Sequence, residues 1–148
     1  MLYQVSGGIL PVYAATLSLT PNTGAVGTTV TISGTAFKAN TNVAITYDGT
    51  TLTTNPTTVK TNGAGAFSAT FIVPSSGAGN HTVTASQTGP GSVTLSTTFT
   101  VTTPVINAAV PTSGPVGTTV SFNFNNLIAG ASYTIKFGTT TASGAQAT

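Results

Sequence analysis

Four side chains in this 148-residue chain carry a formal charge: Lys38, Asp48, Lys60 and Lys136. Helical bundles and coiled coils need Glu, Lys, Arg and Leu in quantity, and the chain has neither Glu nor Arg. A disordered polar tail is excluded from the other side, because 39% of the residues are apolar and Val, Ile and Phe recur at regular spacing. The place of charge is taken by 34 Thr and 13 Ser. A β-rich globular protein remains, of about one domain in length.

The same poverty of charge removes whole classes of partner. The isoelectric point near 9.2 comes from three lysines set against one aspartate, far apart along the chain. Phosphate contacts to nucleic acid and polybasic attraction to anionic lipid both need clusters of Lys or Arg, so neither partner is expected. No run of about 18 apolar residues is present to span a membrane as a helix. Absence of cysteine leaves the redox compartment open. Charge at 3% does not: folded proteins usually carry about a quarter, and a Thr/Ser surface of this kind suits secreted material that is glycosylated or packed into an assembly. The expected location is therefore extracellular, at the cell surface. With one carboxylate in the chain, acid finds little to protonate, and folded stability is expected to change little between about pH 2 and pH 7.

Alternation of apolar and polar residues marks strands between Gly, Pro and Asn punctuation. Segments 28–34, 42–48, 66–73, 81–85 and 93–101 place Val30 and Ile32, then Val43, Ile45 and Tyr47, then Phe67 and Phe71, then Val83, then Phe99, on single faces. With a segment at Leu17 and Leu19 and a weaker one around Val59, about seven strands follow at turn spacings of roughly 8 to 12 residues, the pattern of a two-sheet sandwich. The expected core is Ile32, Tyr47, Phe67, Phe71, Val83 and Phe99.

An internal repeat divides the chain. Pro21, Gly24, Val26, Gly27, Thr28, Thr29 and Val30 return as Pro111, Gly114, Val116, Gly117, Thr118, Thr119 and Val120, seven identities in ten positions at an offset of 90. Phe37 then meets Leu127, Ile45 meets Ile135 and Tyr47 meets Phe137. A period of this size is one sandwich domain, which predicts an arm over residues 1–14, a complete unit over 15–103 and a partial second unit over 104–148.

Pro21, Gly24, Gly27, Thr28, Val30, Ile32, Gly34 and Phe37 follow the pattern Pro-x-x-Gly-x-x-Gly-Thr-x-Val-x-Ile-x-Gly-x-x-Phe, which resembles the opening of IPT/TIG-type immunoglobulin-like domains. Gly65, Phe67, Phe71, Val73 and Pro74, followed by Gly79, His81 and Val83, resemble the second half of Ig-like repeats in prokaryotic surface proteins. The resemblance implies an all-β, antiparallel Ig-like sandwich and an extracellular structural or adhesive module, and it brings no catalytic residue with it.

Chemistry-bearing residues are few. Asp48 precedes Gly49 between two strands, where Asp-Gly is a favoured hairpin turn. His81 shares a strand face with Val83 and Ala85, which reads as a packed histidine near the rim; with no second His, no Cys and no Glu, a metal site lacks ligands. A Ser-His-Asp arrangement is formally available, but no Gly-x-Ser-x-Gly elbow occurs, so no catalytic residue, cofactor or metal is assigned. The glycines at 63, 65, 77 and 79 read as turns, since no Lys-Ser/Thr of a phosphate loop follows them. Asn80-His81-Thr82 is a glycosylation sequon placed in an expected turn, with covalent glycans as its implied partner; Pro56 spoils the one at Asn55.

The apolar stretch before the first unit has a signal-peptidase-like Val12-Tyr13-Ala14, yet it lacks a positive start and is broken by Gly7, Gly8 and Pro11, so an extended arm is favoured. Its Leu2, Val5, Ile9, Leu10, Val12 and Tyr13 are candidate donors of a strand. Phe122, Phe124, Tyr133, Ile135 and Phe137 of the partial unit are candidate acceptors. The expected function is a structural subunit of a filament or pilus-like assembly, its copies joined head to tail by strand exchange. The alternatives are a fragment of a surface-layer or adhesin stalk, and a carbohydrate-binding accessory module, for which exposed aromatics are lacking.

Overall fold

The computed structural model describes residues 14–107, 109–127, 132, 134–137 and 140–141. Ten strands build the first unit: β1 Thr16–Thr20, β2 Thr23–Gly24, β3 Thr29–Thr35, β4 Asn42–Tyr47, β5 Thr50–Thr51, β6 Thr54–Asn55, β7 Val59–Lys60, β8 Phe67–Ile72, β9 Gly79–Ser86 and β10 Thr94–Val101. They form two sheets, β1-β3-β8-β6 and β2-β10-β9-β4-β5, with β7 pairing β4. All pairings are antiparallel except β2 with β10. The described residues contain no helix, and none of them forms a span long and apolar enough to cross a membrane as one. The all-β Ig-like sandwich expected from the alternation is the observed fold.

Period-2 patterning decides which side of each strand is buried. Val30 and Ile32 of β3, Phe67, Ala69 and Phe71 of β8, Val83 and Ala85 of β9, and Phe99 and Val101 of β10 all belong to one buried cluster. All six expected core residues lie in it. Gly34 is required by this packing: a Cβ there would stand 2.2 Å from the Phe67 ring. The bare backbone lets Phe67 lie against β3 and meet Phe37 edge-on, with ring centroids 5.1 Å apart.

Where the chain crosses between sheets after β3, buried polar side chains replace missing strand partners. The Gln87 amide donates to Lys38 O (2.9 Å) and accepts from Lys38 N (2.9 Å), while the Thr61 hydroxyl donates to the same carbonyl (2.6 Å) and accepts from Thr41 N (3.0 Å). Backbone groups buried in a loop need such partners, and here a short buried threonine and glutamine supply them.

Outward positions are hydroxyls in cross-strand register. On the first sheet Thr16 sits opposite Thr35, Ser18 opposite Ser33 opposite Ser68, and Thr20 opposite Thr31 opposite Thr70. On the second sheet Ser96 sits opposite Thr84, which sits opposite Thr46.

The second unit repeats the first in backbone detail. Its strands are β11 Val105–Ile106, β12 Phe124–Asn125, β13 Lys136–Phe137 and β14 Thr140–Thr141. The bridge Val110 to Ser121 reproduces Thr20 opposite Thr31 at the 90-residue offset, and Phe137 opposite Thr140 reproduces Tyr47 opposite Thr50. The turn is shared as well: Thr118 N donates to Pro115 O as Thr28 N does to Ala25 O, both at 3.1 Å, and Gly27 and Gly117 both have positive φ (85° and 92°). Nearer its start the register slips by one, with Ile106 opposite Phe124.

Truncating Phe71, which is 2% exposed, to Ala leaves a ring-sized void between the sheets. The expected loss is about 3 to 5 kcal/mol, a large part of the stability of a single domain. Denaturant unfolding followed by fluorescence or circular dichroism measures it, and an unchanged midpoint would refute the inward register of β8.

Candidate functional site

Tyr47, Asp48 and His81 converge at one corner of the sandwich. Asp48 and Gly49 are the central residues of the two-residue β4–β5 hairpin, with φ of 47° and 82°, the left-handed pair that an Asp-Gly hairpin turn requires. This fixes the carboxylate beside β9. Its Oδ1 accepts from Thr82 N (2.8 Å), and its Oδ2 lies 2.6 Å from His81 Nδ1. The other ring nitrogen, Nε2, lies 2.8 Å from the carbonyl of Gly77. The imidazole stacks on Tyr47 with centroids 5.0 Å apart, and the Tyr47 hydroxyl bonds Ser76 Oγ at 3.0 Å.

Both ring nitrogens of His81 thus face acceptors, an arrangement that favours the doubly protonated ring. The Asp48 carboxylate, then the Gly77 carbonyl, hold the imidazolium above its usual range. Reciprocally, the hydrogen bond from His81, then that from Thr82 N, pulls Asp48 below the usual carboxylate range. Burial pushes the Tyr47 phenol up. Sequence reasoning placed Asp48 in the turn and His81 at the rim, and both positions hold. It did not bring the two together, because the pairing depends on the β4–β9 register.

Beside this corner a half-open cleft of about 630 Å³ separates the edges of the two sheets, lined by Tyr47, Asp48, Leu52, Ile72, Pro74 and Ser76 among others. The sequon is placed differently from expectation: Asn80 lies within β9, opposite Thr100, not in a turn. It is exposed, and its Oδ1 accepts from Thr100 Oγ1 at 2.9 Å. The β8–β9 loop is shorter than the glycines at 77 and 79 suggest, since β9 begins at Gly79.

Of the residues expected to take part in assembly, Leu2, Val5, Ile9, Leu10, Val12, Tyr13 and Tyr133 lie outside the described residues. Phe122 and Phe124 share a face and stack with centroids 6.4 Å apart; Phe122 is exposed and Phe124 half-buried. Ile135 is half-buried, and Phe137 pairs through its backbone with Thr140. Val105, Val110, Val116 and Val120 are also exposed.

The model of the IPT/TIG domain family matches residues 15–101. The chain belongs to that family. Neither a curated protein nor a solved structure matches it significantly. The matched span coincides with the ten-strand sandwich, so the IPT/TIG domain ends with β10, and an immunoglobulin-like structural or adhesive module is what membership supports.

Within this IPT/TIG domain the Asp48–His81 pair has two of the three parts of a nucleophilic triad. The third is displaced. A base accepts its proton at the nitrogen far from the carboxylate, and here that nitrogen meets a backbone carbonyl. The nearby Ser76 hydroxyl instead donates to or accepts from Tyr47 and contacts Pro74 O. What the arrangement does is tie the β4–β5 turn, β9 and the loop at Gly77 together by charge-assisted hydrogen bonds.

The pair gives the fold a pH window. Asp48, lowered on folding, stabilises above its unfolded value and loses that contribution as pH falls through the folded one; His81, raised on folding, stabilises below its unfolded value and loses it as pH rises through the folded one. Both contributions are complete between about pH 4 and pH 6.5. The near pH-independence expected from composition is thereby narrowed to a shallow plateau with two shoulders. Melting temperatures across pH should show that plateau for the native chain and a flatter profile for Asp48→Asn, whose side chain keeps the turn and the Thr82 contact. An identical profile in the variant would rule the pair out as its source.

Proposed function

We propose that the chain is a structural subunit of an extracellular filament or pilus-like assembly, joined head to tail by strand exchange. The observation that carries this is the contrast between equivalent positions of the two units. Val30 and Ile32 are 0% exposed in the first, whereas their counterparts Val120 and Phe122 are 42% and 38% exposed. In the first unit these positions are covered by side chains from β8, β9 and β10, and the described residues from 104 onward hold counterparts of β1, β3, β4 and β5 alone. Apolar surface of this kind, next to open strand edges, recruits added strands.

Residues 1–13 of another copy suit the role of donor. Fully extended they reach roughly 40 Å at about 3.3 Å per residue. They carry Leu2, Val5, Ile9, Leu10 and Val12 around Gly7 and Gly8, small enough to pass Phe124, which stands where the first unit has Gly34. Donor and acceptor lie in different parts of the chain, so the contact is heterologous and propagates into a fibre unless it closes as a ring. One strand replaces only part of three, and the neighbour's complete domain supplies the remaining cover. The uncharged, hydroxyl-rich surface supports an extracellular setting, with Asn80 as a glycan acceptor.

Electron micrographs of the full chain and of a variant lacking residues 1–13 test this. The full chain should form fibres and the variant soluble monomers that bind a hydrophobic dye at the exposed Phe122 face. Normal polymerisation of the variant would assign the cover to another segment, and a full chain that stays monomeric would favour a stalk module completed within its own chain.

A further inference from the structure

The outer face of the β1-β3-β8 sheet has a property that the strand-exchange reading does not use. Its centre is two rows of hydroxyls running across three strands, Ser18–Ser33–Ser68 and Thr20–Thr31–Thr70. The three charged side chains of this unit lie elsewhere, Lys38 in the crossover after β3, Asp48 in the β4–β5 turn and Lys60 on β7. Exposed sheet faces of soluble proteins ordinarily carry Lys and Glu, which keep copies apart. This one has no such protection.

The two faces of the sandwich also differ in how tightly their central hydroxyls bond one another. On the β9–β10 side Thr84 and Ser96 bond each other at 2.8 Å, and Thr100 donates to Asn80 at 2.9 Å. On the β1-β3-β8 side the central contacts are long: Ser18 to Ser33 O and Ser33 to Ser68 at 3.5 Å each, and Thr70 to Asn55 O at 3.4 Å. A tight pair, Thr16 with Thr35 at 2.6 Å, occurs only at the rim. The central hydroxyls therefore keep most of their hydrogen-bonding capacity for a partner.

We propose that the β1-β3-β8 face is a self-association surface whose partner is the same face of a second copy of the chain. A hydroxyl both donates and accepts, so an array of them is complementary to itself, which is what an isologous two-fold contact demands. The rows repeat at about 4.8 Å across strands and about 6.8 Å along them in both copies, so the two arrays share a lattice. Two identical faces normally repel through their like charges. Here there are none to repel, and the whole chain carries a net charge of only +2. Ile72, 63% exposed at the end of the face, adds an apolar contact. This association runs sideways and is independent of strand exchange; in a fibre it would bundle neighbouring strands of subunits.

The test uses the full chain and a double variant, Ser18→Lys with Ser68→Lys, at exposed positions of the central row. The control, Thr94→Lys with Thr98→Lys, places the same charges on the opposite face. Lateral association, read by sedimentation velocity and by fibre width in micrographs, should be unaffected by salt in the native chain. In the Ser18/Ser68 variant it should weaken by about tenfold or more at low salt, recovering near 1 M, where charges are screened within about 3 Å. The control should behave as the native chain. Absence of lateral association in the native chain, or equal weakening in both variants, overturns the proposal. Fibre length reports on strand exchange separately: short but bundled particles would refute that reading and leave this one standing. Should the lysine variant unfold, Ser68→Cys places a lone thiol on the face of a cysteine-free chain, and a short bismaleimide should link it into covalent dimers. Failure to link, or equal linking of Thr98→Cys, counts against the contact.

Discussion

Closure of two sheets over one apolar cluster is the interaction that the rest of this domain depends on. Few other means of joining the sheets are present: the chain has no cysteine, and among the described residues the side-chain ion pairs reduce to Asp48 with His81 at a solvent-facing corner. Burial of Phe71, Phe99, Ile32 and Val30 therefore sets the register of β3 against β8 and of β9 against β10, since a one-residue slip would turn those side chains outward and bring threonines in. The buried polar residues Gln87 and Thr61 follow from the same closure, because the inward backbone groups of the crossover at Lys38 and Thr41 find their hydrogen bonds on these two side chains.

The second unit shows what that constraint means when it is only half met. Its turn at Gly117 and Thr118, its bridge at Val110 and its β13–β14 register copy the first unit, so local sequence is enough to specify these features. Exposure is where the two differ. Val120 repeats Val30 in sequence, beside the bridge of Val110 with Ser121, yet burial is a property of what lies opposite, and Val120 is 42% exposed where Val30 is 0%. The same motif is a core element in one place and an open surface in the other.

Much of the fold was legible because a period-2 pattern is local information. The seven strands, the six core residues and the turn at Asp48-Gly49 were all readable from alternation and turn chemistry. Of the four two-residue strands of the first unit, β2, β5 and β6 were not, being too short to show a period, and β7 was marked by Val59 alone. Nor was the placement of Asn80 in β9: glycine next to an asparagine signals a turn, but pairing with β10 reaches back to Gly79. The Asp48–His81 contact was hidden for a different reason. Its partners are 33 residues apart, and only the cross-strand register of β4 with β9 brings the hairpin tip beside the ring. The signal available was that a chain with one carboxylate and one histidine places each at the same end of strands destined to pair.

Low charge and a hydroxyl surface bear on solubility as well as on fold. A folded protein in free solution is kept from its copies largely by net charge and by charged side chains on its faces. This chain has a net charge of +2 and keeps the charges of its sandwich in loops, turns and an edge strand, so the long-range repulsion between copies is weak. What remains at contact is hydroxyl chemistry, which binds water and other hydroxyls about equally well and so gives little preference for solution over assembly. Small geometric gains, such as matched strand spacings or one apolar side chain at the edge of a face, are then enough to decide between the two. For a surface of this kind, any contact between copies is governed by shape and register instead of by charge.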